Sequence, residues 1–90
     1  MECEIQLFGA FRDFDDSGKI VLQMQNQTTV FEIKNQILKH LKTKSKLGID
    51  IEALMKVSMI ATDNQLLQDH DVVDFNSQKT LAILPPVCGG

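Results

Sequence analysis

TVFEIKNQILKHL, residues Thr29 to Leu41, is the stretch on which the fold turns. Val30, Ile33, Ile37 and Leu41 recur at helical spacing, and Leu38 widens the apolar stripe. Thr29 and Glu32 fit a capping box, with Thr29 as the cap and Glu32 reaching back from the third helical position. Lys39, Lys42, Lys44 and Lys46 crowd the far end, where cations complement the helix dipole, and Gly48 is a plausible stop. No other segment carries a helical pattern of this length. A helix with one apolar stripe must bury it, and the segments on either side show what lies beneath.

Upstream, Cys3, Ile5 and Leu7 alternate with Glu2, Glu4 and Gln6, the pattern of a strand with one buried face. Phe8 falls out of phase and belongs on the polar side. Residues Gly9 to Gly18 read as a turn-rich connection to a second alternating strand, Ile20 to Met24. The pair reads as an antiparallel hairpin. Downstream, Asp50 to Met55 fit one short helical turn, Val57 to Ala61 a third strand, and Thr62 to Gln65 a turn. Leu66 and Leu67 begin a short return strand. Residues Gln68 to Lys79 read as loop, with Val72, Val73 and Phe75 tucked inward. Thr80 to Leu84 form the last strand, with Leu81 and Ile83 on one face and Ala82 and Leu84 on the other.

The order β-β-α-β-β-β predicts an α+β fold, a β-grasp: a mixed sheet packed on one main helix, with the first and last strands as parallel neighbours. The division expected is a domain over residues 1–84 and an extended tail over 85–90. Phe8 and Leu84 then share the face away from the helix, at the end from which the tail leaves, with Arg12 close by. Together with Pro85, Pro86 and Val87 they form a contiguous apolar patch, which usually marks a protein contact.

Composition narrows the function. The chain has 90 residues, enough for one domain, with 43% hydrophobic residues and a formal charge of −3. Its pI of about 5.2 argues against nucleic acid as a main partner and suits docking on a basic protein. No apolar run approaches a membrane span, and the acidic start lacks the features of a signal peptide, so the expected compartment is the cytoplasm.

Asp13 to Gly18 mimics half a calcium loop, but Met24 stands where the bidentate Glu is due. Asp69, His70, Asp71 and Asp74 gather no second His or Cys nearby, so no metal site is expected. No Ser-His-Asp or Cys-His spacing suggests an enzyme acting alone.

The tail reads LPPVCGG, Leu84 to Gly90. Pro85 and Pro86 fix φ and favour an extended course. The six residues from Pro85 could reach roughly 20 Å at 3.3–3.6 Å each. Gly89 and Gly90 fit a slot only as wide as a backbone, where any Cβ would meet the wall.

This ending, with Leu7-Phe8 in the first strand and Arg12 shortly after it, resembles the small subunit of molybdopterin synthase, a ubiquitin-like sulfur carrier. The resemblance implies that an ATP-dependent, E1-like activating enzyme adenylates the Gly90 carboxylate. A sulfur donor then displaces AMP to leave a thiocarboxylate. It implies that the tail, with Gly89 behind the reactive end, enters the large synthase subunit. There it supplies dithiolene sulfur to cyclic pyranopterin monophosphate, in molybdenum cofactor biosynthesis. No bound cofactor is implied; ATP belongs to the activating enzyme. Phe8, Arg12, Leu84, Pro85, Pro86, Val87 and Cys88 are the implied partner-binding residues, in a heterotetramer of two small and two large subunits. Cys88 stands where Ala, Ser or Thr is common, and Asn76 to Lys79 replace an Asp-Gly-Asp turn. The alternatives are a sulfur carrier for thiamine or transfer-RNA thiolation, and a ubiquitin-like protein modifier. A Cys3–Cys88 disulfide is not expected, because the tail leaves from the opposite end of the first strand.

Overall fold

In the computed structural model, which describes residues 1–43 and 50–85, β1 (Glu2–Leu7) is a central strand of a five-stranded sheet. It pairs antiparallel with β2 (Lys19–Gln23) in the register Cys3↔Leu22 and Ile5↔Ile20. On its other side it pairs parallel with β7 (Thr80–Leu84), Ile5 facing Leu81 and Leu7 facing Ile83. β7 in turn pairs antiparallel with β4 (Met59–Ala61), which pairs with β5 (Leu66–Leu67), for an order β2-β1-β7-β4-β5. Alternation then sorts the side chains: Cys3, Ile5, Leu7, Ile20, Ile60, Leu81 and Ile83 are buried on one face.

Helix α1 (Val30–Lys42) covers that face, with Val30, Ile33, Ile37 and Leu41 fully buried. Each such aliphatic contributes about 1.5–3 kcal/mol on burial. This mixed sheet on one main helix is the β-grasp fold anticipated from the element order. Helix α2 (Ile51–Val57), capped by Asp50 through a 3.1 Å bond from Ala53 N, packs beside it with Ile51 and Met55 inward.

The start of α1 is built more elaborately than a capping box. Thr29 Oγ1 accepts from Glu32 N at 3.3 Å, as expected. The Glu32 carboxylate, however, accepts from Gln36 Nε2 at 3.2 Å instead of reaching back. The next free donors go to a crossing loop: Val30 N donates to Asp71 O (2.9 Å) and Phe31 N to Asp69 O (3.0 Å). That loop is held by a second sheet, in which β3 (Gln27–Thr29) pairs antiparallel with β6 (Val72–Asp74).

Several expectations need correction. Residues 68–79, read as loop, contain β6, and Val72 is 60% exposed while Val73 and Phe75 are buried. Adjacent valines in a strand must face opposite ways, so only one could point inward. The connection after β1 holds a 3-10 helix (Gly9–Phe14) that buries Phe11 and Phe14. Three residues per turn place an i, i+3 pair on one side. The short turn expected at Asp50–Met55 is a seven-residue helix that takes in Val57, so the third strand begins only at Met59. Helix α1 ends at Lys42, earlier than a stop at Gly48 would allow. Lys44, Lys46 and Gly48 lie outside the described residues.

Candidate docking face and tail root

The sheet face away from α1 divides into two halves. Reading across the strands, one row runs Lys19, Gln6, Ala82, Ala61, Leu66, and the next toward the tail runs Leu84, Met59. Phe8 keeps extended backbone (φ −124°, ψ 155°), so alternation carries its side chain to this face beyond Leu7, and it is 41% exposed. The Leu7↔Ile83 register sets Phe8 and Leu84 side by side at the same end, as the parallel pairing of first and last strands requires. Phe8, Leu84, Met59, Ala82 and Leu66 therefore make up an apolar corner. Small side chains at Ala61 and Ala82 leave a shallow depression of ≈ 180 Å³ on the side of Ala82 away from Leu84, lined also by Gln6, Thr62, Asp63 and Thr80.

The opposite corner is polar. Lys19 Nζ lies 3.2 Å from Glu4 Oε1, and Gln23 Nε2 donates to Glu2 Oε1 at 3.5 Å. Of the large apolar residues there, Val21 is exposed on β2. A face apolar at one corner and charged at the other orients a partner as well as binding it.

The tail root is described through Pro85, which is half-buried and follows Leu84 at the end of β7. Its ring sits over Gly9: a Cβ placed on Gly9 would lie 2.5 Å from Pro85 Cγ. Gly9 has φ +57°, a conformation costly for other residues. Arg12 is exposed on the 3-10 helix, and its guanidinium lies over Gly18, whose carbonyl accepts from Leu7 N at 2.8 Å. Arg12 thus stands beside the end of β1. Pro86, Val87, Cys88, Gly89 and Gly90 lie outside the described residues.

Met59 and Leu66 join the patch only through the β7-β4-β5 pairing, which sequence reasoning did not use. The available signal was the antiparallel return of two short strands, which puts alternate residues of both on one face.

Among the described residues, no group of three or more His, Cys, Asp and Glu side chains could hold a metal ion. The local acids have structural partners: Asp71 Oδ2 accepts from Gln68 N (2.7 Å), Asp74 Oδ1 from Asn76 N (2.9 Å), and Asp15 Oδ1 from Ser17 N (3.0 Å). Cys3 is a free, fully buried thiol whose pKa is raised to about 11, first by burial and then by the charge of Glu4. No helix among the described residues is long and apolar enough to cross a membrane.

No protein-family model and no curated protein matches the chain. Among solved structures, the crystal structure of SAMP1 from Haloferax volcanii is similar with a TM-score of 0.69, over 100% of both chains, at 18% identity. A likeness at that identity bears on the fold, and it is the ubiquitin-like β-grasp.

Proposed function

We propose that this chain is a sulfur carrier whose reactive atom is the Gly90 carboxylate, and more specifically the small subunit of a molybdopterin synthase. The observation that carries the reading is the Leu7↔Ile83 register. It puts the exposed Phe8, Leu84 and the root of a Pro-Pro-Val-Cys-Gly-Gly tail at one end of one sheet face. A partner that grips the apolar corner therefore holds the tail's origin at a fixed place relative to its own active site. That is what a carrier needs, because delivery depends on positioning more than on affinity.

The chemistry follows from a carboxylate with no side chains near it. In the activating enzyme the Gly90 carboxylate attacks the α-phosphorus of ATP, and pyrophosphate leaves. Hydrosulfide then attacks the acyl carbon of the mixed anhydride. AMP departs with the electron pair of the broken C–O bond, and Gly90 becomes a thiocarboxylate. In the large subunit the tail presents that sulfur to cyclic pyranopterin monophosphate. Each carrier brings one sulfur atom, so a dithiolene requires two deliveries. The buried Cys3 does not compete as a nucleophile, since its thiol remains protonated at neutral pH.

A fold alone does not select among carriers and modifiers. Pro-Pro before Val-Cys-Gly-Gly favours the molybdopterin branch over thiamine or transfer-RNA thiolation. The test is the intact mass of the chain after incubation with an activating enzyme, ATP and a sulfide source. Exchange of one oxygen for sulfur, lost when Gly90 is deleted, is the expected result. An unchanged mass, with the enzyme competent on another carrier, would remove the sulfur-carrier reading. An isopeptide ladder on denaturing gels would instead establish a modifier.

A further inference from the structure

We propose that Gly9 is a positioning residue: its bare backbone seats the Pro85 ring and so sets the direction in which the tail leaves the sheet. The inference rests on the carrier reading only for its consequence in activation. Its geometry stands on described residues.

Two independent features require glycine here. The φ of +57° is strained for any side chain, and a Cβ would come within 2.5 Å of Pro85 Cγ and 3.3 Å of Cδ. The first of these separations is too short for real atoms, so either the ring or the 3-10 helix would have to shift. Gly18 makes the contrast. It too has a positive φ, +76°, yet its Cβ would meet only the Arg12 guanidinium, at 3.5 Å. Strain alone thus marks two glycines, while contact with the tail root marks Gly9.

The contact follows directly from the strand pairing. Phe8-Gly9 and Leu84-Pro85 follow directly on the last pair of the parallel β1–β7 ladder, Leu7↔Ile83, and the Gly9 backbone then comes against the Pro85 ring. The Pro85 ring is closed onto its own backbone, so displacing it turns the chain that follows. If the six residues from Pro85 extend to their reach of roughly 20 Å, a deflection of about 5° at the root moves the far end by about 2 Å. A glycine terminus that must enter a backbone-wide slot is sensitive on that scale.

The experiment uses the full chain with nitroxide labels on Cys88 and on an introduced Asp63→Cys; Cys3 is buried and stays unlabelled. Spin–spin distances are compared for the parent, Gly9→Ala, Pro85→Ala and the double variant. Gly9→Ala is expected to shift the distance distribution. In the Pro85→Ala background the same substitution should shift it no further, because Cγ and Cδ are gone and the remaining Cβ contact, at 3.7 Å, is ordinary. In adenylation by the activating enzyme, Gly9→Ala should raise the carrier's KM roughly tenfold with kcat within about twofold. Gly18→Ala, which bears the same kind of backbone strain, should do neither.

An unchanged distance distribution in Gly9→Ala would overturn the proposal. So would an equal shift with and without the Pro85 ring, since the effect would then run through the loop. If the parent chain is not adenylated at all, the carrier reading fails, and the distance comparison still decides whether Gly9 aims the tail.

Discussion

Lys34 Nζ lies 2.9 Å from Asp69 Oδ1 and donates to the carbonyl oxygen of Ser58 at 2.8 Å, joining α1 to the start of β4 and to the loop that caps α1. The lysine side chain is 11% exposed and the aspartate 59%. The two bonds should therefore differ in worth. Asp69→Asn loses an ion pair that water already screens, and is expected to cost about 1 kcal/mol or less. Lys34→Met also strips the donor from the carbonyl of a buried residue, and is expected to cost about 1–3 kcal/mol. Urea midpoints at constant m give the comparison. A larger loss in Asp69→Asn would place the energy in the ion pair instead.

Cys3 gives stability a pH limb of definite sign. Its pKa is raised from the ordinary 9.0 to about 11 by burial and by Glu4. The folded chain therefore holds this proton more tightly than the unfolded chain. Its contribution is complete below about pH 9 and is lost as pH rises through about 11. Unfolding free energies of the parent and of Cys3→Ala, followed across that window, should show a steeper fall in the parent. Parallel curves would mean that the thiol ionises without opposing the fold. At neutral pH Cys3 should resist alkylation in the folded parent and react once the chain unfolds.

The parts of this fold legible in the sequence are those fixed by long or repeated periods. The thirteen-residue helix and the alternation in β1 and β7 could each be read, and with them the out-of-phase Phe8 and the outward Leu84. The shorter elements were less so. β3 and β6 have three residues each, too few for alternation to be distinguished from loop, and Val72-Val73 gave no sign of which valine faces in. Phe11 and Phe14 were hidden because their period is three, neither helix nor strand. The Met59 and Leu66 half of the patch is set by which strands pair, and pairing is a tertiary choice. Gly9 was visible only as a turn residue. That it lies under Pro85 depends on a register spanning most of the chain.

On the carrier reading, Gly89→Ala and deletion of Gly90 act at the chemical end of the tail and nowhere in the core. Each is expected to lower sulfur transfer by at least roughly a hundredfold. The far-ultraviolet spectrum and the melting temperature should stay those of the parent. Transfer at the parental rate in either variant would show that the reacting carboxylate is not held in a backbone-wide slot. Cys88→Ala separates the thiol from the size of the side chain. Retained transfer is the expected outcome, because the proposed route needs no thiol in the carrier.

The two halves of the outer sheet face can be tested against each other with one kind of change. Leu66 and Val21 are matched in exposure, at 56% and 51%, and stand on opposite edge strands of the same sheet. A lysine at either should alter stability by no more than about 0.5 kcal/mol, because neither side chain is buried. If a partner grips the corner formed by Phe8, Leu84 and Met59, Leu66→Lys adds a charge at its margin and should weaken binding of the large subunit roughly tenfold or more. Phe8→Ala should weaken it further, by removing the aromatic nearest the tail root. Val21→Lys lies beside Glu4 and Lys19 and should leave affinity within about twofold. Calorimetric titration of each variant provides the comparison. Equal losses at both positions would extend the interface across the whole sheet. A loss at Val21 alone would move the partner to the β2 edge and leave the tail root unsupported, which the proposed delivery mechanism does not survive.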